Sequence, residues 1–106
     1  MLKTIKSKKE FGEVFHNGER AGGRLVRITA LDNEGDSTRV AFVAAKRLGN
    51  AVYRNRCKRI LREASRLCDL PQTDLLLLMF ATNRTAEAKP EAVAHEIERL
   101  LKKIEK

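Results

Sequence analysis

Six consecutive apolar residues, Leu75-Leu76-Leu77-Leu78-Met79-Phe80, constrain the fold more than any other stretch of this 106-residue chain. They do not alternate with polar residues, so a strand built from them carries apolar side chains on both faces, and both must be covered. That predicts an internal strand. Extended to Ala81, the run is still far too short to cross a bilayer. Upstream, Cys57, Ile60, Leu61, Ala64, Leu67 and Cys68 fall at helical spacing. Before them Arg39 to Ala45 reads as another strand. A strand–helix–strand succession calls for a parallel partner beside the internal strand.

The helix between those strands holds most of the charge. Residues 46–66 contain eight Lys/Arg against Glu63 alone, which leaves +7 of the chain's +8. At about 100° per residue, Asn55, Lys58, Arg59, Arg62 and Arg66 fall opposite the apolar stripe, with Arg54 and Arg56 on its flanks. Asn50 fits an N-cap. Solvated helix faces usually mix acids with bases and gain from pairs four residues apart. Here 58, 62 and 66 repeat the same sign at that spacing. A stripe of uncompensated cations points to a polyanion partner.

Within this helix Gly49-Asn50-Ala51-Val52, Arg54-Asn55-Arg56, Lys58-Arg59 and Arg62-Glu63 match a pattern of the form G-N-A-V-x-R-N-R-x-K-R-x-x-R-E. The chain thereby resembles the protein component of bacterial ribonuclease P, the RNR-motif family. The resemblance implies an α+β fold of the ribosomal protein S5 domain 2-like type. Its sheet is small, mixed and four-stranded, with three helices in the order α-β-β-β-α-β-α. It implies a single RNA-binding domain over residues 1–106, with the fourth strand placed around Ala44 to Arg47. The implied function is to assist a catalytic RNA that removes the 5′ leader from precursor tRNA by Mg²⁺-dependent hydrolysis. The Mg²⁺ is then held chiefly by the RNA. Lys46, Arg47, Arg54, Arg56, Lys58, Arg59, Arg62 and Arg66 are expected on the catalytic RNA, and Asn50 and Asn55 anchor the loop or hold hydrated metal.

The rest of the chain adds a second expected surface. Ser7-Lys8-Lys9-Glu10 fits a capping box. The helix it opens carries Phe11, Val14 and Phe15 on one face and stops near Asn17-Gly18, where glycine tolerates a left-handed C-cap. Two phenylalanines on a short helix read first as core. The resemblance places Phe11 and Phe15 in a cleft along the single-stranded leader, where stacking tolerates any sequence. After the turn Ala21-Gly22-Gly23, residues 24–31 alternate as a strand, with Val26, Ile28 and Ala30 on one face and Leu25, Arg27, Thr29 and Leu31 on the other. Where the family often has a cleft aromatic, this strand has Thr29. Arg27 on the same face suits phosphate or stacking. Asp32 to Ser37 reads as a hairpin loop. Its acids do not make a calcium loop, since Gly35 is fourth and no Glu stands twelfth. Asp69 to Thr73 reads as a loop stopped by Pro71. Pro90 opens a final helix with a Val93, Ile97, Leu100, Leu101 and Ile104 stripe and a solvated side that includes Glu91, Glu96, Glu98, Arg99, Lys102 and Lys103.

Protein-based catalysis fits poorly. His16 and His95 stand alone, without a nucleophile pattern, and no set of acids converges as a two-metal site requires. Cys57 and Cys68 are eleven residues apart on one helix, roughly 16 Å, too far for a disulfide. They read as core residues of a reducing cytoplasm, and neither has a ligand partner at zinc spacing. No apolar segment follows the basic N-terminus as a signal peptide needs. No membrane partner is expected. No helix–turn–helix spacing precedes the basic helix, so DNA is not expected either. The alternative is a ribosomal or RNA-chaperone protein using the same basic helix.

Overall fold

The computed structural model describes residues 3–71 and 73–105. The elements run β1 (Lys3–Thr4), α1 (Lys8–Asn17), β2 (Glu19–Gly22), β3 (Val26–Ser37), β4 (Arg39–Val43), α2 (Ala51–Leu67), β5 (Thr73–Ala81) and α3 (Pro90–Glu105). Short 3-10 turns occupy Lys46–Leu48 and Thr85–Glu87. The α+β class holds, and after β1 the order is the expected one. The sheet has five strands, though, not four. No strand forms around Ala44 to Arg47, where the chain leaves β4 and turns toward α2. The remaining strand is β2. The expected turn Ala21-Gly22-Gly23 is partly strand, with Gly22 opposite Arg27 and the Gly23 N–H donating to the Val26 carbonyl at 2.9 Å.

The sheet order is β1-β4-β5-β3-β2. The leucine-rich β5 is central, parallel to β4 and antiparallel to β3. A strand with no polar face takes the position where both edges are paired and both faces covered. One consequence corrects the hairpin expected at Asp32 to Ser37. Strand β5 lies between β3 and β4, so these two do not pair, and the polar stretch extends β3 as an irregular arm. Its register against β5 shifts between Asp32 and Ser37, and Glu34 and Gly35 take φ of 32° and 81°. Of the Asp69 to Thr73 loop, Gln72 lies outside the described residues.

Helices α2 and α3 cover one face of the sheet. Val26, Ile28 and Ala30 of β3 and Leu77 and Met79 of β5 meet Cys57, Ile60, Leu61 and Ala64 of α2 and Val93, Ile97 and Leu100 of α3 there. Helix α1 covers the other face alone, through Val14 on Leu76 and Leu78. Leu67 departs from the expected stripe. At the last turn of α2 it is 55% exposed, and Ser65 is buried instead with its hydroxyl donating to the Arg62 carbonyl at 2.7 Å. Glu96 departs in the opposite sense. It is buried, and its carboxylate accepts from Leu25 N at 2.7 Å and Val26 N at 3.0 Å. Those two N–H groups open β3 and would otherwise be buried without partners, which is costly.

The two ends of α1 are held by different contacts. Ser7 caps the helix, its hydroxyl accepting from Lys9 N and Glu10 N. Glu10 does not complete a capping box: its carboxylate pairs with Arg39 of β4, because a charged guanidinium attracts it more strongly than a backbone N–H. At the C-terminal end Gly18 is extended, with φ −76° rather than left-handed. Glycine is required there by close approach. A Cβ would lie 2.7 Å from the Val14 oxygen and 2.8 Å from both the Ala30 oxygen and the Thr29 methyl.

Candidate nucleic-acid interface

Helix α1 is ten residues long and leaves part of its sheet face uncovered. Beyond its C-terminal end the face opens into a cleft of about 1000 Å³. Phe15 and Phe80 form an aromatic wall, with ring centroids 6.2 Å apart. Five guanidinium-bearing residues, Arg20, Arg24, Arg27, Arg47 and Arg84, line the cleft, and no carboxylate lines it among the described residues. An apolar platform inside a cationic rim suits single-stranded nucleic acid, whose bases stack while its phosphates need neutralising.

Of the residues expected at the leader, the structure brings Phe15 and Arg27 to this cleft. Phe15 is 39% exposed, and Arg27 is exposed on β3. Phe11 is placed elsewhere. It is half-buried, packs with Val14, Leu76 and Leu78, and stacks behind Phe15 at 6.4 Å and 14°. Its open edge faces a small notch beside Lys6 and Lys8. Thr29 is on the cleft side of β3 but only 3% exposed. The close approach of Gly18 covers its methyl, so it offers no surface to a base. On the neighbouring strand Phe80, opposite Arg27, is the second aromatic that lines the cleft.

The basic helix is built largely as its sequence indicates. Asn50 caps it, its side-chain oxygen accepting from Tyr53 N at 2.9 Å. Gly49, at φ 154°, lies so close to Tyr53 that a Cβ would come within 3.1 Å of the ring. That tight joint sets the 3-10 turn bearing Lys46 and Arg47 directly before the helix. Asn55, Arg59, Arg62 and Arg66 are exposed, and Lys58 and Arg54 are half-exposed. Arg56 is exposed, yet its Nε donates to the Ala86 carbonyl at 3.0 Å. The Arg62 guanidinium lies 5.5 Å from the centre of the Phe42 ring on β4. Among the described residues, every ion pair uses Arg39 or Arg99. No cation of α2 or of the cleft is therefore neutralised by a carboxylate. Arg47 belongs to both surfaces, since it sits in the turn before α2 and lines the cleft.

The thiols of α2 are placed as packing groups. Cys57 is fully buried, and that burial raises its pKa. Cys68 is pushed up to about 12 by burial and then by nearby Glu98. Neutral thiols are poor nucleophiles. Among the described residues no three His, Cys, Asp or Glu side chains are grouped to hold a metal ion.

The family model for ribonuclease P matches residues 2–105. The chain belongs to the ribonuclease P protein family. A relative named ribonuclease P protein component, from Natranaerobius thermophilus, is 36% identical over 103 residues, covering 94% of this chain and 88% of that one. One of the same name from Caldanaerobacter subterraneus subsp. tengcongensis is 32% identical, covering 96% and 89%. The solved ribonuclease P protein of Thermotoga maritima superposes with a TM-score of 0.80 at 22% identity, covering 98% of this chain and 99% of that one. That of Staphylococcus aureus gives 0.78 at 23% identity, covering 99% and 97%. These two likenesses concern the fold.

In this ribonuclease P family member, sequence reasoning missed Arg20, Arg24, Arg84 and Phe80. The three arginines come from β2, the β2–β3 turn and the segment after β5, so no window of sequence groups them. Phe80 closes an apolar run that reads as wholly internal. A usable signal was available: Phe80 lies two residues beyond Leu78 near the end of β5, on the face that α1 is too short to cover.

Proposed function

We propose that this protein serves ribonuclease P by giving two polyanions two adjoining surfaces. The face of α2 takes the catalytic RNA, and the cleft takes the 5′ leader of precursor tRNA. Ribonuclease P is a ribonucleoprotein endoribonuclease, and this chain is its protein part; the RNA subunit is the catalyst. The observation that carries the division is Arg47, which joins the unneutralised cations of α2 to the arginine-rimmed cleft. A leader in the cleft is thereby held next to the RNA on the helix. Phe15 and Phe80 stack bases, while Arg24, Arg27 and Arg84 offset phosphate charge. The family relation favours this over a ribosomal or chaperone role.

Magnesium belongs to the RNA in this reading. Among the described residues no three carboxylates, histidines or cysteines are grouped to hold a metal ion, whereas RNA phosphates are hard oxygen ligands suited to Mg²⁺. The protein lowers the Mg²⁺ demand by supplying fixed cations where two RNAs would otherwise repel. No helix among the described residues is long and apolar enough to cross a membrane. We place the protein in the cytoplasm, where free thiols such as Cys57 and Cys68 persist.

The helix assignment is tested by salt. Arg59→Ala and Arg62→Ala should each weaken binding to the catalytic RNA about uniformly across RNA sequences and lower the log K against log [salt] slope by roughly one unit. Titrations across a salt series read this directly. Slopes that match the unmodified protein in both variants would remove α2 as the contact.

A further inference from the structure

Arg20 is exposed on the edge strand β2. Its guanidinium stands 5.1 Å from the centroid of the Phe15 ring. One of its Nη groups donates to the Phe15 carbonyl at 2.7 Å. That carbonyl is among the last of α1, which have no intrahelical donor. Arg20 thus folds back over the end of the helix and covers part of the aromatic wall. Both restraints are weak. The contact is solvent-exposed, and no carboxylate pairs with Arg20 among the described residues. Each has a stronger replacement in single-stranded RNA. A nucleobase stacks on a phenylalanine ring better than an exposed cation does. A phosphate binds a guanidinium in a charge-assisted, bidentate way that a neutral carbonyl cannot match.

We propose that Arg20 is a displaceable cover on Phe15, yielding the ring to an incoming leader base and taking the adjoining phosphate. The inference rests on the leader occupying the cleft. The side chain remains tethered to β2, so once displaced it stays beside the nucleotide that displaced it. The exchange requires a free base and a phosphate together, which a single strand presents and a duplex end, with its bases paired, does not. The competing role is that of a buttress: Arg20 stays in place and only holds Phe15 and the end of α1.

The test uses the reconstituted holoenzyme with Arg20→Ala, Arg20→Lys, Phe15→Ala and the Phe15→Ala/Arg20→Ala double variant. Affinities for precursor and mature tRNA are measured across a salt series, alongside melting temperatures. Arg20→Ala should weaken precursor binding roughly five-fold, the upper end for an exposed ion pair, and leave mature tRNA unaffected. It should also flatten the precursor salt slope by about 0.7, the value for one phosphate of a single strand. The same flattening should appear in the Phe15→Ala background, because the phosphate contact does not need the ring, and Arg20→Lys should restore the slope. An unchanged slope, or a flattening that disappears without Phe15, makes Arg20 a buttress and overturns the proposal. Equal losses for both RNAs with a lowered melting temperature overturn it as well. If Phe15→Ala itself fails to separate precursor from mature tRNA, the leader is not in the cleft, and the proposal falls with that reading.

Discussion

Replacing Leu61 with alanine should lower the folding free energy by about 2–5 kcal/mol. Leu61 is fully buried where α2 meets the sheet and α3. Removing its branched end leaves a cavity whose walls come from three elements and cannot all close on it. Domains of this size are stable by only about 5–15 kcal/mol, so a large share would go. The effect reaches function through geometry, because the same helix carries Arg59, Arg62 and Arg66 on its outer side. Urea unfolding followed by circular dichroism measures the loss. Leu67→Ala is the internal control. It lies on the same helix, but its exposure should keep the change within about 0.5 kcal/mol. Equal effects from the two substitutions would mean that α2 does not pack on the face assigned to it.

The second large effect concerns the leader. Phe15→Ala should weaken affinity for precursor tRNA but not for mature tRNA. A lost base stack is worth about 1–3 kcal/mol, so the precursor should lose roughly five-fold or more, and the difference should vanish when the leader is trimmed to one nucleotide. Phe15 also touches Phe11 and Phe80, so some loss of thermal stability is expected in the same variant. A pure packing role predicts only that loss, shared equally by both RNAs. Phe11→Ala provides the contrast. Phe11 sits behind Phe15 against Val14, Leu76 and Leu78, so its truncation should cost stability first. A precursor-specific loss larger in Phe11→Ala than in Phe15→Ala would contradict the placement of the cleft.

How much could be read before the structure depended on the range of the interaction. The unalternating run from Leu75 to Phe80 placed β5 inside the sheet with a parallel neighbour, because strand burial is written in consecutive residues. The Asn50 cap and the Cys57, Ile60, Leu61, Ala64 stripe were legible for the same reason: each uses neighbours within two helical turns. Glu96 was not legible. It resembles any solvated glutamate on α3, and the N–H groups it satisfies lie 70 and 71 residues away. Gly18 showed only that a helix stops. That the chain passes within van der Waals contact of Thr29 and Ala30 depends on how α1 docks. The hairpin expected at Asp32 to Ser37 failed because local turn chemistry does not reveal that β5 will insert between β3 and β4. The cleft was half legible. Phe15 came from the family resemblance and Arg27 from strand alternation, whereas Arg20, Arg24 and Arg84 meet only once β2, β3 and the end of β5 lie side by side.

Cleavage of precursor tRNA by the ribonuclease P RNA, with and without this protein, at a Mg²⁺ concentration where the RNA alone is slow, tests the account most directly. The account predicts that the purified chain restores 5′-leader removal at low Mg²⁺, and that high Mg²⁺ narrows the gap between the two reactions. It also predicts that a variant lacking Arg59, Arg62 and Arg66 restores little, while Phe15→Ala acts chiefly by weakening precursor binding. A folded protein that leaves the low-Mg²⁺ rate at that of the RNA alone would contradict the assignment of this chain as the protein part of the enzyme.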